Sequence, residues 1–273
     1  TQLSRALEIG RETSPNSIAF FEVVNDLATL YQERGKLADA ERLFRECHEG
    51  VERLLGPNGE KTLTAKNNLA VLLEYAGRRD ETERLFREII EVRQRILKTD
   101  HPATLKTMMN LASVLSERAG YKEAETLCLH VIEGQTKDLG KEHPDTLESL
   151  NIQARIYSRS DQPDKAVPIF RKLLEINRRV QGAEHINTLI IMNNLAIDLR
   201  TLNQLDEAEA LIRECLEIRM RTLGPLHSHT IAAQNILASL LQDRGKFTEA
   251  EPIFRSIHET MADPAFYKQD RDA

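Results

Sequence analysis

The chain has 273 residues, of which 41% are hydrophobic and 29% charged, and these shares are ordinary for a soluble protein. Its 43 acidic and 37 basic side chains give a net charge of −6, which argues against nucleic acid as the main partner. No apolar stretch is as long as a membrane span, and no signal-peptide segment is present, so we expect no membrane partner.

A fixed period of 42 residues runs through the chain. It is marked by a dipeptide that recurs six times, as Leu27-Ala28, Leu69-Ala70, Leu111-Ala112, Gln153-Ala154, Leu195-Ala196 and Leu237-Ala238. Within each period, apolar residues recur at three- and four-residue steps in two runs separated by a polar turn, which is the pattern of an amphipathic helical hairpin. A fixed period of this length indicates a solenoid. We therefore predict an all-α fold of about six hairpins.

In chain order, residues 1–12 resemble the second helix of a partial repeat. Six repeats are predicted over residues 18–261, with approximate limits 18–59, 60–101, 102–143, 144–185, 186–227 and 228–261. Their first helices are expected near 18–34, 60–76, 102–118, 144–160, 186–202 and 228–244. Their second helices are expected near 37–55, 79–97, 121–139, 163–181, 205–223 and 247–261. Residues 262–273 lose the period and are predicted to form a polar tail.

One repeat carries a family resemblance, on the residues Asn68-Leu69-Ala70, Leu73, Gly77, Glu83, Leu85-Phe86 and Ile89. This spacing resembles the tetratricopeptide repeat. The longer period comes from an extended second helix and an LG-x-x-HP-x-T linker, as in LGKEHPDTL at 139–147, and together these resemble the kinesin-light-chain type of repeat. That type is also found in nephrocystin-3-like proteins and in sensor regions of NTPase switch proteins. The resemblance implies a right-handed superhelix whose first helices line a concave groove.

Four histidines recur at the repeat period, at His101, His143, His185 and His227. Packed helices lie about 8–10 Å apart, whereas zinc ligands lie about 2 Å from one ion, so these histidines cannot share a metal. We expect each to be a loop or N-cap residue, and we predict neither a metal nor a cofactor. The three cysteines lie in helical patterns and are interpreted as buried, reduced residues, which favours a cytoplasmic location.

Catalytic motifs are absent from the sequence, which has no GxSxG, Walker, HExxH or CxxC pattern. Glutamates share one repeat position, at Glu41, Glu83, Glu125, Glu209 and Glu251, and we interpret them as structural or solvating residues. The sequence therefore predicts a protein that is not an enzyme.

A column of asparagines stands two residues before the recurring dipeptide, at Asn25, Asn67, Asn151, Asn193 and Asn235, with Met109 in the remaining repeat. Asparagine is a mediocre helix former, so its recurrence in mid-helix opposes local propensity. The resemblance implies that these amides line the groove, where each could bond to the main chain of an extended peptide. The alternative is that they bond within or between repeats and fix the stacking.

Basic side chains on the same helices occur in the middle repeats, at Lys106, Arg155, Arg159 and Arg200. Acidic ones lie toward the ends, at Glu22, Glu33, Glu74 and Asp243. A basic centre in an acidic protein favours a ligand with carboxylates or phosphates. The kinesin-light-chain resemblance, with its acidic peptide ligands, agrees in sign.

The function we predict is a non-catalytic scaffold or adaptor that binds a partner protein or peptide, favoured to be acidic, in the concave groove. One alternative is a regulatory sensor arm of a larger protein, such as an NTPase switch, kinase or protease, which the start at Thr1 motivates. Another alternative is self-association, in which one molecule's end occupies another's groove.

Overall fold

The computed structural model describes the backbone of residues 2–262 and the side chains of residue 5 and residues 7–262. This part of the chain contains thirteen α-helices and no strand. The helices are α1 (Gln2–Thr13), α2 (Ile18–Glu33), α3 (Leu37–Leu55), α4 (Glu60–Tyr75), α5 (Arg79–Ile96), α6 (Pro102–Glu117), α7 (Tyr121–Asp138), α8 (Pro144–Arg159), α9 (Pro163–Val180), α10 (Ile186–Thr201), α11 (Leu205–Thr222), α12 (Ser228–Asp243) and α13 (Phe247–Ala262).

The all-α prediction is confirmed, and each helix lies within one residue of its predicted limits. Of the predicted polar tail, Ala262 ends α13, and residues 263–273 lie outside the described residues. No helix of the described region is both long and apolar enough to cross a bilayer.

Two compact units make up the chain, Thr1–Asp138 and Leu139–Ala273. In the first unit α1 to α7 pack each on the next, and in the second unit α8 to α13 do the same. First helices of neighbouring repeats also touch, as α4 with α6, α8 with α10 and α10 with α12. This is the neighbour-only packing of helical repeats. The limits of the six repeats and the handedness of a superhelix stay predictions.

Small residues at fixed positions let the helices approach closely. The alanines of the recurring dipeptide are buried throughout, as Ala28, Ala70, Ala112, Ala154, Ala196 and Ala238. A second set is buried on the second helices, as Ala40, Ala124, Ala166, Ala208 and Ala250. Large apolar side chains such as Phe44, Phe86 and Phe170 fill the space around them. The 42-residue period of the sequence is thus also the spacing at which small buried residues recur between packed helices.

The linker between repeats is held by two of its own side chains. Nδ1 of His101, His143, His185 and His227 accepts a bond from the backbone N–H two residues later, at 3.1–3.2 Å. Hydroxyls of Thr104, Thr146 and Thr188 donate to the carbonyl six residues earlier, at 2.8–3.1 Å. The histidines are therefore N-caps, as predicted. Among the described residues no three His, Cys, Asp or Glu side chains are grouped to hold a metal ion.

The turn inside each hairpin depends on one residue with a positive φ, which is Gly35, Gly77, Ala119, Asp161, Asn203 or Gly245. Glycine, aspartate and asparagine tolerate this left-handed conformation, whereas alanine does so at a cost. Ala119, with φ 61°, is the strained member of the set.

Replacing Ala119 with glycine should therefore raise the free energy of unfolding by about 1 kcal/mol, because the left-handed strain is removed. The matched control is Ala76→Gly, at a turn position with φ −78° where alanine is unstrained. That change should lower stability by up to about 1 kcal/mol. Urea unfolding of both variants measures the difference, and a loss of stability in Ala119→Gly would contradict the strain.

Candidate functional site

The predicted asparagine column is engaged between repeats in the first unit. Oδ1 of Asn25, on α2, accepts a bond from Nδ2 of Asn68, on α4, at 2.8 Å. Asn67 is buried, and its Oδ1 accepts a bond from the Thr107 hydroxyl of α6 at 3.2 Å. These contacts join neighbouring first helices and favour the stacking alternative for both asparagines.

In the second unit the asparagines of the column differ in burial and in hydrogen bonding. Oδ1 of Asn193 accepts a bond from Nη1 of Arg219 at 3.4 Å, which again joins neighbouring helices. Oδ1 of Asn151 is buried with no hydrogen-bond partner in the described structure, and Asn235 is exposed. Peptide binding by the column stays a prediction, and Asn235 is its most accessible member.

A second set of amides lies one residue later, at Asn68, Asn110 and Asn194, and all three are half-buried. The neighbouring positions one turn before and after them are also open, for example Lys106 and Ser113 around Asn110. This is the open face of the first helices. The sequence predicts groove-facing amides at the position one residue earlier, although the same period marks both positions.

The predicted basic residues divide between the two units. Lys106 is exposed on α6 of the first unit. In the second unit Arg155 is half-buried and Arg159 exposed, one turn apart on α8. Arg200, on α10, is paired with Asp243 of α12, so its charge is compensated within the chain. Arg155 and Arg159 share one face of α8.

Two arginines are buried although the sequence does not predict it. Arg93, on α5, is 4% exposed and donates to the carboxylate of Glu60 at 2.7 Å and the Ala103 carbonyl at 2.9 Å. Arg219, on α11, is 2% exposed and donates to the carbonyls of His229 and Leu189. Burial lowers the pKa of Arg219. Both occupy one repeat position, and no wider pattern distinguished them from solvated charges.

A cleft of about 300 Å³ opens between α2 and α4 of the first unit. Its apolar wall is formed by Ile18, Phe21, Cys47, Val51 and Ala65, and its polar wall by Glu22, Asn25, Asp26, Glu60, Lys61, Thr64 and Asn68. Nζ of Lys61 donates to the Glu22 carboxylate at 2.8 Å. Because apolar and polar walls face one space, the cleft suits a side chain with both characters.

Asp198 is a buried carboxylate in the second unit. It stands on α10 at a repeat position that holds an aliphatic residue elsewhere, for example Ile156 and Leu240. It is 3% exposed, and its Oδ2 accepts a bond from the Ser158 hydroxyl of α8 at 2.6 Å. Burial raises the pKa of Asp198 to about 6, although the bond from Ser158 opposes this. Its charged form is therefore disfavoured by the fold.

Glu41 and Glu209, two of the periodic glutamates, lie in ion pairs. Glu41 accepts bonds from Arg45 and Arg78, at 2.8 Å and 2.6 Å. Glu209 pairs with Arg213 and Lys246, at 2.8 Å and 3.1 Å. These bonds hold the pKa of Glu41 and of Glu209 below the usual value, although burial opposes them. These ion pairs agree with the structural or solvating role that the sequence predicts, which stays a prediction.

The three cysteines are buried, as predicted, and none of them is in a disulfide. The thiols of Cys47 and Cys215 donate to the carbonyls of Phe21 and Leu189, at 3.3 Å and 3.5 Å. Burial raises the pKa of Cys47 to about 11 and of Cys128 to about 12. At neutral pH both are thiols, which are poor nucleophiles and poor metal ligands.

Five overlapping stretches match the tetratricopeptide repeat family, at residues 21–88, 61–127, 107–179, 153–221 and 199–262. The chain belongs to the tetratricopeptide repeat family. These matches cover most of the chain, and no match to a catalytic domain was identified. A comparison of this chain with curated proteins found no match.

Solved structures share this tetratricopeptide repeat fold. Kinesin-light-chain TPR-like repeats from Podosopora anserina are 24% identical, with a TM-score of 0.63 over 76% of this chain and 98% of that one. BtubC (BKLC) from P. vanneervenii is 18% identical, with a TM-score of 0.68 over 83% and 91%. A STAND ATPase with a tetratricopeptide repeat sensor from Pyrococcus horikoshii is 15% identical, with a TM-score of 0.69 over 94% and 38%. The predicted likeness to kinesin-light-chain repeats is confirmed, and at these identities it concerns the fold.

Proposed function

We propose that this tetratricopeptide repeat protein is a non-catalytic scaffold that binds an extended segment of a partner protein on the open faces of its first helices. One observation carries the proposal. In both units, polar side chains of first helices stay half-exposed, as Asn110 on one unit and Asn194 on the other. Asn68 is also half-exposed but already donates to Asn25. A side-chain amide offers both a donor and an acceptor, which is what an extended main chain requires.

The second unit favours an acidic segment in this proposal. Arg155 and Arg159 lie on one face of α8, and guanidinium groups bind carboxylates through paired, charge-assisted bonds. Arg200, on α10 of the same unit, pairs with Asp243. Buried cysteines outside any disulfide support a reducing compartment such as the cytoplasm.

Reversing one charge tests the acidic preference. We expect Arg159→Glu to weaken the binding of an acidic peptide by about tenfold at low ionic strength, and high salt to reduce the difference. The measurement is fluorescence anisotropy with a labelled library of Asp- and Glu-rich peptides against Gln- and Asn-substituted counterparts.

Lys172→Glu is the matched control, because Lys172 is exposed in the same unit but lies on the second helix α9. It makes the same change in net charge away from the proposed face. Equal weakening by Arg159→Glu and Lys172→Glu would mean that net charge, and not this face, governs binding. No binding of any acidic peptide by the unaltered protein would refute the preference itself.

A further inference from the structure

One position of the second helix is arginine in two repeats and valine in another. Arg93 and Arg219 hold it on α5 and α11, whereas Val51 holds it on α3. Both arginines direct their guanidinium groups between the first helices of neighbouring repeats. Arg93 reaches α4 and α6, and Arg219 reaches α10 and α12. At Val51 the corresponding space is the open cleft between α2 and α4.

The partners of the two arginines have counterparts in this cleft. The carbonyls of Ala103 and His229, which accept from Arg93 and Arg219, correspond to the carbonyl of Lys61. Asn193, which accepts from Arg219, corresponds to Asn25. Lys61 and Asn25 both line the cleft, so it keeps two of these acceptors without the arginine, although the Asn25 oxygen also accepts from Asn68. The positions of Glu60 and Thr107, which also accept from Arg93, hold the apolar residues Ile18 and Ala65 in the cleft.

Charge adds to this correspondence. Thr64, which accepts from Arg93 at 3.3 Å, is replaced at the equivalent cleft position by Glu22. The cleft is lined by three carboxylates, of which Glu22 pairs with Lys61 and Glu60 pairs with Arg93. Three carboxylates against two cations leave a formal charge of −1, which is that of Asp26. An entering cation would therefore gain electrostatic energy. Ile18, Phe21 and Val51 offer an apolar surface for the methylene groups behind the charge.

We infer that the cleft between α2 and α4 binds an arginine side chain of a partner segment, in the place that Arg93 and Arg219 fill in their own repeats. The inference deepens the proposed function, since the occupant is one side chain of a bound segment. The inference gives the first unit a preference for a basic side chain. Arg155 and Arg159 give the second unit a preference for acidic side chains.

The test uses the full chain and the peptide acetyl-Gly-Gly-Arg-Gly-Gly-amide, compared with the same peptide carrying citrulline. Citrulline keeps the shape of arginine and removes its charge. Titration is followed by the NMR methyl signals of Val51 and Ile18. We expect saturable shifts with the arginine peptide and about tenfold weaker binding of the citrulline peptide. Equal binding of the two peptides would overturn the inference.

Val51→Arg should fill the cleft from within and abolish the shift at Ile18. Circular dichroism checks its fold, which is expected to be retained because the same position holds arginine twice in this chain. A folded Val51→Arg protein that still shows the Ile18 shift would contradict the site. Glu22→Gln provides a second variant that does not alter the core, and it should weaken arginine binding about fivefold. Glu33→Gln, exposed on α2 outside the cleft, should not.

The two proposals fail separately. If acidic peptides do not bind while the arginine peptide does, the preference assigned to the second unit is lost and the cleft stands. If acidic peptides bind and respond to Arg159→Glu while arginine and citrulline peptides behave alike, the cleft assignment is lost and the scaffold function stands.

Discussion

Asp198→Leu should stabilise the protein by about 3 kcal/mol at neutral pH. The pKa of Asp198 rises from 3.8 in an unfolded chain to about 6 in the fold, and each unit is worth about 1.36 kcal/mol. Between these two pH values the folded state binds more protons than the unfolded state. Stability therefore falls as pH rises through this window, and the full cost is present above about pH 6. Leucine removes the cost and restores the aliphatic residue found at Leu240.

Urea unfolding at several pH values measures this effect. The difference between Asp198→Leu and the unaltered protein should shrink by about 3 kcal/mol below pH 3.8, where the carboxyl is protonated in both states. Asp198→Asn is the control that removes the charge and keeps an acceptor for Ser158. It should abolish the pH dependence with a smaller gain in stability. A difference between Asp198→Leu and the unaltered protein that does not change across this window would show that burial does not perturb this group.

Gly50→Ala should lower the free energy of unfolding by about 2 kcal/mol. An alanine Cβ on α3 would lie 2.0 Å from Cζ and 2.1 Å from Cε1 of Phe21. The ring is 4% exposed and packs edge-on against Phe20, so it cannot move aside freely. Overpacking a filled core costs ~1–3 kcal/mol, which exceeds the gain in helix propensity over glycine.

Gly134→Ala is the matched control for Gly50→Ala, because its Cβ would meet the flexible end of Leu105 at 3.0 Å. It should change stability by less than about 1 kcal/mol. Phe21→Leu, which introduces the residue found at Leu63 and Leu105, should make Gly50→Ala far less costly. A double-mutant cycle by urea unfolding measures this coupling, and strict additivity of the two changes would contradict the clash.

Helix limits could be predicted from the sequence because several local signals agree at each end. The histidine N-caps, the turn residues and the apolar period all repeat at the same spacing, so an error in one repeat is corrected by the others. Ala119 shows the limit of this reasoning. Its left-handed conformation follows from the repeat and not from alanine itself.

The open face could not be placed to the residue from the pattern. One residue along a helix turns the side chain by about 100°, so Asn67 and Asn68 point to different neighbours although both are polar. Which of them the next helix covers depends on packing between repeats. Arg93 and Asp198 were missed for a related reason, since an isolated charge in a periodic sequence is usually solvated. Only the structure shows that these two are buried.

Neighbour-only packing also bears on how the protein is made. In the unit Leu139–Ala273, α8 and α9 find their main contacts in each other and in α10, all within adjacent stretches of chain. A hairpin leaving the ribosome can therefore bury much of its apolar surface before the next repeat is translated. Synthesis from the N-terminus would assemble each unit one repeat at a time. Little apolar surface would then stay exposed to solvent until a distant segment of the chain is made.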